Sequence, residues 1–488
     1  MIIKVKDIIK NYKNPIEVFG SLEKEISFLT LDSREVKKDA LFFAVKGTST
    51  DAHQYIPSVI EMGASVIVCS TLPKELNPEV TYLLVDDVQQ SCGFLASAYY
   101  ENPSQHFKLV GVTGTNGKTT CTSILYHLFT SLGYQCGLIS TVEYIIGTQK
   151  YNSTHTTPDP IKLNFLMSQM VEAGCEYCFM EVSSHAIVQG RINGLLFDGG
   201  VFTNITHDHL DYHKTFANYI QAKKGFFDML PNDAFALTNK DDKNGSIMLQ
   251  NTKAVKYSYA LKTMADFNCK IIESDFDGLL LKIDQIEAWY NLVGKFNAYN
   301  LLAAYSVAYL LGEEREIIIQ HLSKQNRVNG RFEIYKSSEG VVAIVDYAHT
   351  PDALENVLDT INNIRSQNEQ LISILGCGGN RDKEKRPEMG RIAAQKSNKV
   401  ILTSDNPRTE DPQQIIEEMM LGIHASDYKK ILKISDRKEA IRAGLMLCKK
   451  GDLILVAGKG HETYQEINGV KHPFDDRIII QELFKEIQ

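Results

Sequence analysis

The sequence predicts an α/β protein of three domains, in which the central and C-terminal domains are each built on a parallel sheet. The chain has 488 residues, more than a single hydrophobic core usually organises. From Phe107 a buried strand, a glycine-rich loop and a helix follow one another, and beyond about Gly330 five short apolar runs alternate with helix-like segments. We therefore place the domains at residues 1–100, 101–329 and 330–488.

The composition is that of an ordinary globular protein. Hydrophobic residues make up 43% and charged residues 23% of the chain, and only 13 residues are proline. The formal net charge is −8 at pH 7 and the lysines are scattered, so there is no general attraction for a phosphate backbone. We therefore do not expect nucleic acid as a partner.

The chain shows no targeting or membrane-spanning pattern. The N-terminal segment MIIKVKDIIKNYKNP is interrupted by lysines, whereas the core of a signal peptide is an uninterrupted apolar run. No apolar run reaches the roughly 18 residues of a spanning helix. We expect a cytoplasmic protein without membrane insertion.

The cysteines predict neither disulfides nor a zinc site. There are nine, an odd number, spread from Cys69 to Cys448, which does not make a disulfide framework in a chain this long. Cys175 and Cys178 form one CxxC, but no second pair lies at zinc spacing and the following residues have the pattern of a buried strand. We interpret this pair as structural.

The first hundred residues alternate short apolar runs with polar turns. Two such runs are Leu41–Val45 and Ser65–Val68, and the alternation ends near the break Glu101-Asn102-Pro103. This pattern predicts a small α/β domain at the N-terminus.

Buried-strand runs in the rest of the chain predict where ligands bind. In the central domain EYCFME and FDGGVFTNI each lead into a polar stretch. The carboxyl ends of parallel strands line ligand crevices, so we expect these stretches to converge with the glycine-rich loop. The C-terminal runs VVAIVDY, LISILG, KVILTS, KILKIS and DLILVAG predict a separate parallel sheet.

The glycine-rich loop has the pattern of a phosphate-binding loop. It consists of Gly114, Thr115, Asn116, Gly117, Lys118, Thr119 and Thr120. Its backbone N–H groups can surround phosphates while Lys118 supplies a point charge and Thr119 or Thr120 offers a hydroxyl to Mg²⁺. Val112 stands where the standard spacing has glycine. The alternative, a glycine turn that only caps a helix, does not require the Gly-Lys-Thr-Thr run.

The motifs after this loop make the chain resemble the Mur ligase family. The loop lies in GVTGTNGKTT, and the family's order continues with TTP at 156–158, EVSSH at 181–185, Asn204, DHLD at 208–211, Asn297, Asn300, Arg331 and DYAHTP at 346–351. LDSR at 31–34, GCGGNRD at 376–382, DNPR at 405–408 and GKGHE at 458–462 are most similar to the members that add a diamino acid. The resemblance covers essentially the whole chain.

The resemblance implies a fold and a reaction. The N-terminal domain would bind a uridine nucleotide, the central domain would be an ATPase, and a Rossmann-like C-terminal domain would bring in the amino acid. ATP would phosphorylate the D-Glu γ-carboxylate of UDP-N-acetylmuramoyl-L-Ala-D-Glu, and the amine of meso-diaminopimelate would displace phosphate in peptidoglycan synthesis. Both steps gather negative charge, which fixed cations must stabilise. We expect a monomer.

The resemblance also implies the cofactors and their ligands. Two Mg²⁺ ions are expected, with Thr119, Glu181, His209 and Lys223 as the residues that hold them. Lys223 aligns with a lysine that family members carry as a carbamate derived from CO₂, which requires a neutral amine and hence a lowered lysine pKa. Lys224 and a solvated helix face are the alternatives. His207 and His213 match no role, and we interpret them as structural.

Three sets of substrate-binding residues are carried over from the family. The muramoyl-dipeptide set is Ser33, Thr156, Thr157, Ser183, Gln189 and Arg191, with His53 as a weaker candidate. ATP would contact Asn297, Asn300, Arg331 and Asp346 in addition to the loop, and these would form a site only when the domains close. Lys118, Glu181, Lys223 and His209 would be the catalytic residues.

The third set predicts which amino acid is used. It consists of Arg381, Asp405, Asn406, Pro407, Arg408, Gly458 and Glu462. Arginine and asparagine donors suit the distal carboxylate of diaminopimelate, and Glu462 suits its ammonium. L-Lysine, the alternative, lacks that carboxylate and would leave the charges of Arg381 and Arg408 unpaired, and family members that use it usually differ at the position of Arg408.

Two more distant alternatives remain. Folylpolyglutamate synthetases share the plan from the loop onward but lack the N-terminal module that carries LDSR. A non-catalytic nucleotide-binding regulator should have lost part of the set Lys118, Glu181, Lys223 and His209, and all four are present.

Overall fold

The chain folds around three large sheets that follow one another along the sequence. A computed structural model describes residues 2–47, 50–366 and 368–486. The large sheets contain five, eleven and six strands, and two small two-stranded sheets accompany them. Within the described ranges, no helix combines the length and apolar character needed to cross a membrane.

The N-terminal sheet is a small mixed sheet flanked by helices. Its region contains β1 (Ile3–Lys4), β2 (Ile16–Phe19), β3 (Glu25–Ile26), β4 (Phe28–Thr30), β5 (Ala40–Phe43), β6 (Ala64–Cys69), β7 (Thr81–Val85), α1 (Val5–Ile9), α2 (Ile56–Glu61) and α3 (Val88–Tyr99). The order is β2-β7-β6-β5-β4, parallel except for β2. Strands β5 and β6 are buried on both faces, which explains their uninterrupted apolar runs.

The central sheet carries the glycine-rich loop. Its strands are β8 (Lys108–Thr113), β9 (Cys136–Ile139), β10 (Glu143–Ile146), β11 (Gln149–Asn152), β12 (Tyr177–Glu181), β13 (Gly199–Phe202), β14 (Phe235–Asn239), β15 (Val255–Ala260), β16 (Phe267–Ser274), β17 (Leu279–Ile283) and β18 (Ile286–Tyr290). The helices are α4 (Lys118–Ser131), α5 (Pro160–Glu172), α6 (Ser184–Val188), α7 (Leu210–His213), α8 (Phe216–Asp228), α9 (Gly245–Met248), α10 (Lys295–Leu310) and α11 (Arg315–Ser323).

The middle of this sheet is parallel and covered on both faces. The order is β11-β10-β9-β12-β8-β13-β14-β15-β16-β17-β18, and the strands from β9 to β16 in that order are parallel. One apolar core lies under α4 and α10, and a second lies under α5 and α8. The antiparallel extensions β10–β11 and β17–β18 were not predicted, because short hairpins at a sheet edge lack a long apolar run.

The C-terminal sheet contains the five predicted parallel strands. Its region contains β19 (Glu333–Lys336), β20 (Val342–Asp346), β21 (Leu371–Leu375), β22 (Lys399–Leu402), β23 (Ile431–Lys433), β24 (Leu453–Ala457), β25 (Tyr464–Ile467), β26 (Val470–Pro473), α12 (Pro351–Ile364), α13 (Lys385–Lys396), α14 (Pro412–Met420), α15 (Arg437–Leu447) and α16 (Asp476–Glu486). The order is β19-β20-β24-β21-β22-β23. An antiparallel edge strand, β19, was not predicted, because it is short and only half-buried.

The predicted fold class, α/β with a parallel central and a parallel C-terminal sheet, is confirmed. The boundaries at residues 100/101 and 329/330 stay predictions. The carboxyl ends of β8, β12, β13 and β14 lie side by side, so the loop after β8, Glu181 and the polar stretches after β13 and β14 share one edge. Cys175 and Cys178 are free and buried, as their structural interpretation requires.

Candidate active site

One cavity of about 970 Å³ lies where the carboxyl ends of the central strands face the C-terminal domain. It is lined by residues of every predicted group: the glycine-rich loop, the metal set, the muramoyl set and the amino-acid set. Of the predicted site residues, Ser33, Gly114, Gln189, Lys223, Asn297 and Pro407 do not line it. Gly114, Gln189, Asn297 and Pro407 lie next to lining residues in sequence or by contact, and Lys223 contacts the Gly114 carbonyl just behind them. Ser33 lies in the N-terminal domain, where it begins a short 3₁₀ helix.

The glycine-rich loop curls between β8 and the first residue of α4, which is Lys118. Lys118 Nζ donates to the carbonyl oxygens of Gly114 and Thr115 at 2.8 and 2.9 Å. Gly117 has φ +88°, and a Cβ there would lie 2.6 Å from Asn300 Oδ1, so a side chain would meet both strain and a buried amide. Withdrawal from water lowers the pKa of Lys118.

The C-terminal region reaches across to this loop. Arg331 Nη2 donates to Thr119 Oγ1 at 3.1 Å, and Asn116 Nδ2 donates to Asp352 Oδ2 at 2.8 Å. The Arg331 guanidinium also stacks 4.4 Å from the centre of the Tyr347 ring. The junction residues that were expected to meet only on domain closure are therefore together in this structure.

The predicted ATP residues form two small networks. Asn300 Nδ2 donates to Asn297 Oδ1 at 3.0 Å, and Asn297 Nδ2 donates to the Val293 carbonyl at 2.8 Å, so Asn297 sits behind Asn300 and holds it. The Asp346 carboxylate accepts from the backbone N–H groups of Phe332 and Ala348, each at 2.7 Å. Asp346 thereby fixes the segment that carries Arg331, and burial raises its pKa.

Glu181 is the last residue of β12 and is fully buried. Thr141 supplies both of its hydrogen bonds, from N–H to Oε1 at 2.7 Å and from Oγ1 to Oε2 at 3.1 Å. Thr141 could not be predicted from the sequence, because a threonine after a strand is too common to stand out. A carboxylate held this way retains lone pairs that face the cavity.

His209 has a left-handed backbone, with φ +56°. This conformation is uncommon for residues other than glycine, and it aims the ring at the cavity. Nε2 lies 3.4 Å from Asp208 Oδ2, and the His185 ring centre is 4.9 Å away. Burial lowers the pKa of His209 to about 3, against the opposing effect of Asp208, so the imidazole is neutral at pH 7 and able to bind a metal.

The two neighbouring lysines of α8 have different surroundings. Lys223 is 1% exposed, and its Nζ donates to the Gly114 carbonyl at 2.8 Å, the oxygen that Lys118 also contacts. Burial and the nearby Lys118 charge lower the pKa of Lys223 well below its usual value. Lys224 instead forms an ion pair with Asp228 at 2.6 Å. Lys223 therefore lies beside the glycine-rich loop, and Lys224 already has an anionic partner.

The predicted muramoyl residues surround the end of β12. Thr157 Oγ1 donates to the Glu181 carbonyl at 2.8 Å and accepts from the Ser183 N–H at 3.1 Å. Arg191 Nη1 donates to the Thr157 carbonyl at 2.6 Å, while Gln189 Oε1 accepts from Arg191 Nε and Nη2 at 2.9 and 2.6 Å. Gln189 thus orients the guanidinium from behind.

The predicted uridine end lies apart from this cluster, in the N-terminal domain. Asp32 caps the 3₁₀ turn of Ser33 by accepting from the Arg34 N–H at 2.9 Å. The His53 ring accepts from the Ser70 N–H at 3.0 Å and lies 2.6 Å from Asp51 Oδ1. Both of its ring nitrogens are therefore engaged within the domain.

The predicted amino-acid pocket lies in the loops after β21, β22 and β24. Asn406 Nδ2 donates to Glu462 Oε2 at 2.8 Å, and Arg408 Nη1 donates to the Gly379 carbonyl at 2.7 Å. Arg408 is half-buried with φ +51°, so it is not a surface residue. Its Nε lies 3.3 Å from Glu466 Oε2. The expectation that Arg408 would lack an anion without a distal carboxylate is therefore wrong, because Glu466 balances part of its charge.

Several residues at or beside the cavity were missed: Asp208 lines it, and His207 and Lys459 are each next in sequence to a lining residue. His207 was interpreted as structural, yet its Nε2 lies 3.1 Å from Asp382 Oδ2 across the junction. Buried Asp208 faces His209, and Lys459 contacts three residues of the amino-acid pocket. Asp208 lies within DHLD, Lys459 lies within GKGHE and His207 directly precedes DHLD, so proximity to a motif was the signal that could have found them. Residues next to a motif residue with a predicted role could therefore have been included as candidates.

Comparison with known families matches all three parts of the chain. The model described as Mur ligase family, catalytic domain, matches residues 25–100. The Mur ligase middle domain matches residues 112–308, and the Mur ligase, glutamate ligase domain, matches residues 330–460.

Full-length relatives are also similar. The chain is 55% identical to the UDP-N-acetylmuramoyl-L-alanyl-D-glutamate--2,6-diaminopimelate ligase of Cytophaga hutchinsonii, over 99% of each chain. The ligase of the same name from Bacteroides thetaiotaomicron is 53% identical, over 96% of this chain and 98% of its own.

Solved structures agree in fold. A structure of a ligase of that same name is 32% identical with a TM-score of 0.69, over 100% of this chain and 99% of its own. A folylpolyglutamate synthase of Mycobacterium tuberculosis, 15% identical with a TM-score of 0.63, shares the fold over 93% of its own length but only 76% of this chain. With family models on all three domains and relatives above half identity over nearly the entire length, the chain belongs to the Mur ligase family.

Proposed function

We propose that this chain is an ATP-dependent ligase that joins meso-diaminopimelate to the D-Glu γ-carboxylate of UDP-N-acetylmuramoyl-L-Ala-D-Glu. The reaction proceeds through an acyl phosphate, which the amine of the incoming amino acid then attacks. The product serves peptidoglycan synthesis. Relatives that carry this enzyme's name are up to 55% identical over the whole chain.

The observation that carries this proposal is the single cavity between the central and C-terminal domains. The phosphate loop, the Thr157–Ser183–Arg191 cluster and the Asn406–Arg408–Glu462 cluster all line it. A ligase needs its phosphoryl donor, its acyl acceptor and its amine in one space, since positioning supplies much of the rate enhancement. Three separate pockets would have argued against it.

Residues of the loop and of the junction would stabilise the phosphoryl transfer. Lys118 leaves the Gly114 and Thr115 carbonyls to contact the transferred phosphoryl group, and Arg331, 3.1 Å from Thr119, approaches from the opposite domain. Arg331 Nε is buried and has no hydrogen-bond acceptor among the described residues, so it is available to a phosphate oxygen.

Glu181 and Thr119 offer the oxygen donors that a hard cation such as Mg²⁺ prefers, a buried carboxylate and a hydroxyl. His209 would add a neutral imidazole nitrogen, which is an unusual ligand for Mg²⁺, and its place in the set rests on the family resemblance. When bound, the two Mg²⁺ ions would offset the negative charge on the phosphates. Lys223 would join the set as a carbamate, and this part of the proposal is supported by its burial and by its lowered pKa, which raises the fraction of neutral amine able to react with CO₂.

The amino-acid pocket favours a zwitterionic distal end. Arg381 and Arg408 line the cavity and suit a carboxylate, while Glu462 suits an ammonium. L-Lysine would engage only Glu462. The folate-linked alternative leaves the N-terminal sheet of β2 and β4–β7 without a role, and a regulator without turnover would have no need of Lys118, Glu181, His209 and Lys223 together.

Replacement of Arg408 tests the choice of amino acid. Arg408→Ala removes a charged donor, which contributes about 1.5 to 3 kcal/mol, so kcat/KM for meso-diaminopimelate should fall at least about tenfold. The KM values for ATP and the UDP-linked dipeptide should stay unchanged. Initial rates with meso-diaminopimelate and with L-lysine, in wild type and variant, give the answer. A wild type that prefers lysine, or a variant with an unaltered preference, refutes the assignment.

Two further predictions accompany this proposal. We expect the chain to act as a monomer, and we expect it to work in the cytoplasm, where ATP and the UDP-linked substrate would reach the same cavity.

A further inference from the structure

A fully buried lysine lies behind the wall of the amino-acid pocket. Lys459 follows β24 and is 0% exposed. Its Nζ donates to Asn406 Oδ1 and Glu462 Oε2, each at 3.0 Å, and lies 3.4 Å from Asp405 Oδ1. An ammonium has three N–H donors, and here each meets one oxygen, so Lys459 has no capacity left for a ligand.

These contacts determine which way the Asn406 amide faces. Asn406 Oδ1 accepts from Lys459 Nζ and from the Glu466 N–H at 2.9 Å, and both of those groups can only donate. Nδ2 must therefore point the other way, where it donates to Glu462 Oε2 at 2.8 Å. The amide orientation follows from the network and does not depend on how its two atoms are assigned.

The same contacts determine how Glu462 is presented. Both of its hydrogen bonds, from Lys459 and Asn406, go to Oε2. Oε1 receives no hydrogen bond from the described residues, and Glu462 lines the cavity. The free oxygen is therefore offered to a ligand in one fixed orientation.

Lys459 also balances the charge of this pocket. Asp405 and Glu462 are two carboxylates that are largely withdrawn from water, and Lys459 lies between them with a single positive charge. Together the three groups carry one net negative charge, which suits one ammonium. Without the lysine, two neighbouring buried carboxylates would disfavour each other's ionisation, and a protonated Glu462 would attract an ammonium poorly.

We propose that Lys459 is a positioning residue that makes the pocket selective for a second ammonium on the amino-acid substrate. It holds Glu462 in one orientation and in its ionised form, and it does not contact the ligand itself. This inference rests on the proposed ligase function, which it deepens. It assigns the recognition of the distal ammonium to a unit of Lys459, Asn406 and Glu462.

The test compares two amino acids that differ only in that ammonium. L-2-Aminopimelate keeps the reacting end and the distal carboxylate of meso-diaminopimelate and lacks the distal amine. Wild type should prefer diaminopimelate by about tenfold or more in kcat/KM, since a hydrogen bond between charged groups is lost with the analogue. In Lys459→Met the preference should fall below about threefold, through a raised KM for diaminopimelate and an unchanged KM for ATP.

A matched control separates this role from general support of the domain. Lys396→Met removes another ion-paired lysine of the C-terminal domain, 2.6 Å from Asp359, and should keep the wild-type preference. If Lys459 had only a structural role, Lys459→Met would lower the activity with both amino acids equally. If Lys459→Met does not fold, Lys459→Gln, which keeps two donors and removes the charge, is measured in the same way.

The wild type alone gives an independent readout. Burial and Asp405 raise the pKa of Glu462, while Lys459 and Asn406 lower it. Tyr347, Tyr464 and Arg437 also interact electrostatically with this carboxylate. If Lys459 keeps Glu462 ionised, the preference for diaminopimelate should be flat between about pH 6.5 and 8. A preference that rises through this range as a carboxyl group deprotonates would overturn the inference.

The outcomes distinguish this inference from the proposed function. A wild type that ligates neither amino acid contradicts the proposed function itself. A wild type that uses diaminopimelate with no preference over aminopimelate, or a Lys459→Met or Lys459→Gln variant that retains the full preference, overturns the role of Lys459 and leaves the ligase intact.

Discussion

Lys118→Ala should be folded and almost inactive, with kcat lowered by about a hundredfold or more. The lysine lies at the start of α4, and its Nζ donates to two loop carbonyls beside the proposed position of the phosphates. Its charge is half-buried and fixed in place before the reaction, so its effect on the transition state is not weakened by solvent reorganisation. ATP-dependent ligation of the UDP-linked dipeptide measures the loss.

The control for this change is Lys108→Ala. Lys108 begins the strand that leads into the same loop, but its side chain is exposed and pairs with Asp198 at 2.8 Å. It should keep full activity, because a surface ion pair contributes little. Equal rates for Lys118→Ala and Lys108→Ala would show that the loop is not the phosphoryl-transfer site.

Lys223→Ala should also lose about a hundredfold or more in kcat, because it would remove the anionic carbamate oxygens from the proposed metal set. Small carboxylates such as formate or acetate should restore part of the activity by occupying the space that the side chain leaves. Lys224→Ala should lose some stability, since its ion pair with Asp228 is broken, but should retain activity per folded molecule.

A direct signal accompanies this prediction. Wild type equilibrated with ¹³C-labelled bicarbonate should show one carbamate resonance that is absent from Lys223→Ala and present in Lys224→Ala. Full activity in Lys223→Ala, or a carbamate signal that follows Lys224 instead, contradicts the assignment.

Much of the fold could be predicted because its strands are buried on both faces. Runs such as LISIL and LILVA in β21 and β24 are apolar throughout, as parallel strands covered by helices must be. The edge strands β11 and β19 were missed because they are exposed or half-buried and have no such signature. Pairing at an edge depends on which neighbour the chain reaches, and local composition does not encode that.

The candidate site was predictable where a residue type has few other uses. A lysine at the end of a glycine-rich loop, or an arginine in DNPR, already indicates anion binding. Thr141 and Asp352 gave no such signal, because their roles arise from contacts across long sequence separations, such as the 2.8 Å bond from Asn116 to Asp352. The partner of Arg408, Glu466, was missed for the same reason, and with it the local balance of charge.

The most direct test of the whole account is to identify the product by mass. Purified wild-type protein is given ATP, Mg²⁺, UDP-N-acetylmuramoyl-L-Ala-D-Glu and an equimolar mixture of meso-diaminopimelate, L-lysine and L-alanine, and the UDP-linked product is analysed by mass spectrometry. We expect one product, heavier by a diaminopimelate residue, formed with release of one ADP and one phosphate. A product that carries lysine or alanine, or ATP hydrolysis without any ligated product, would contradict it.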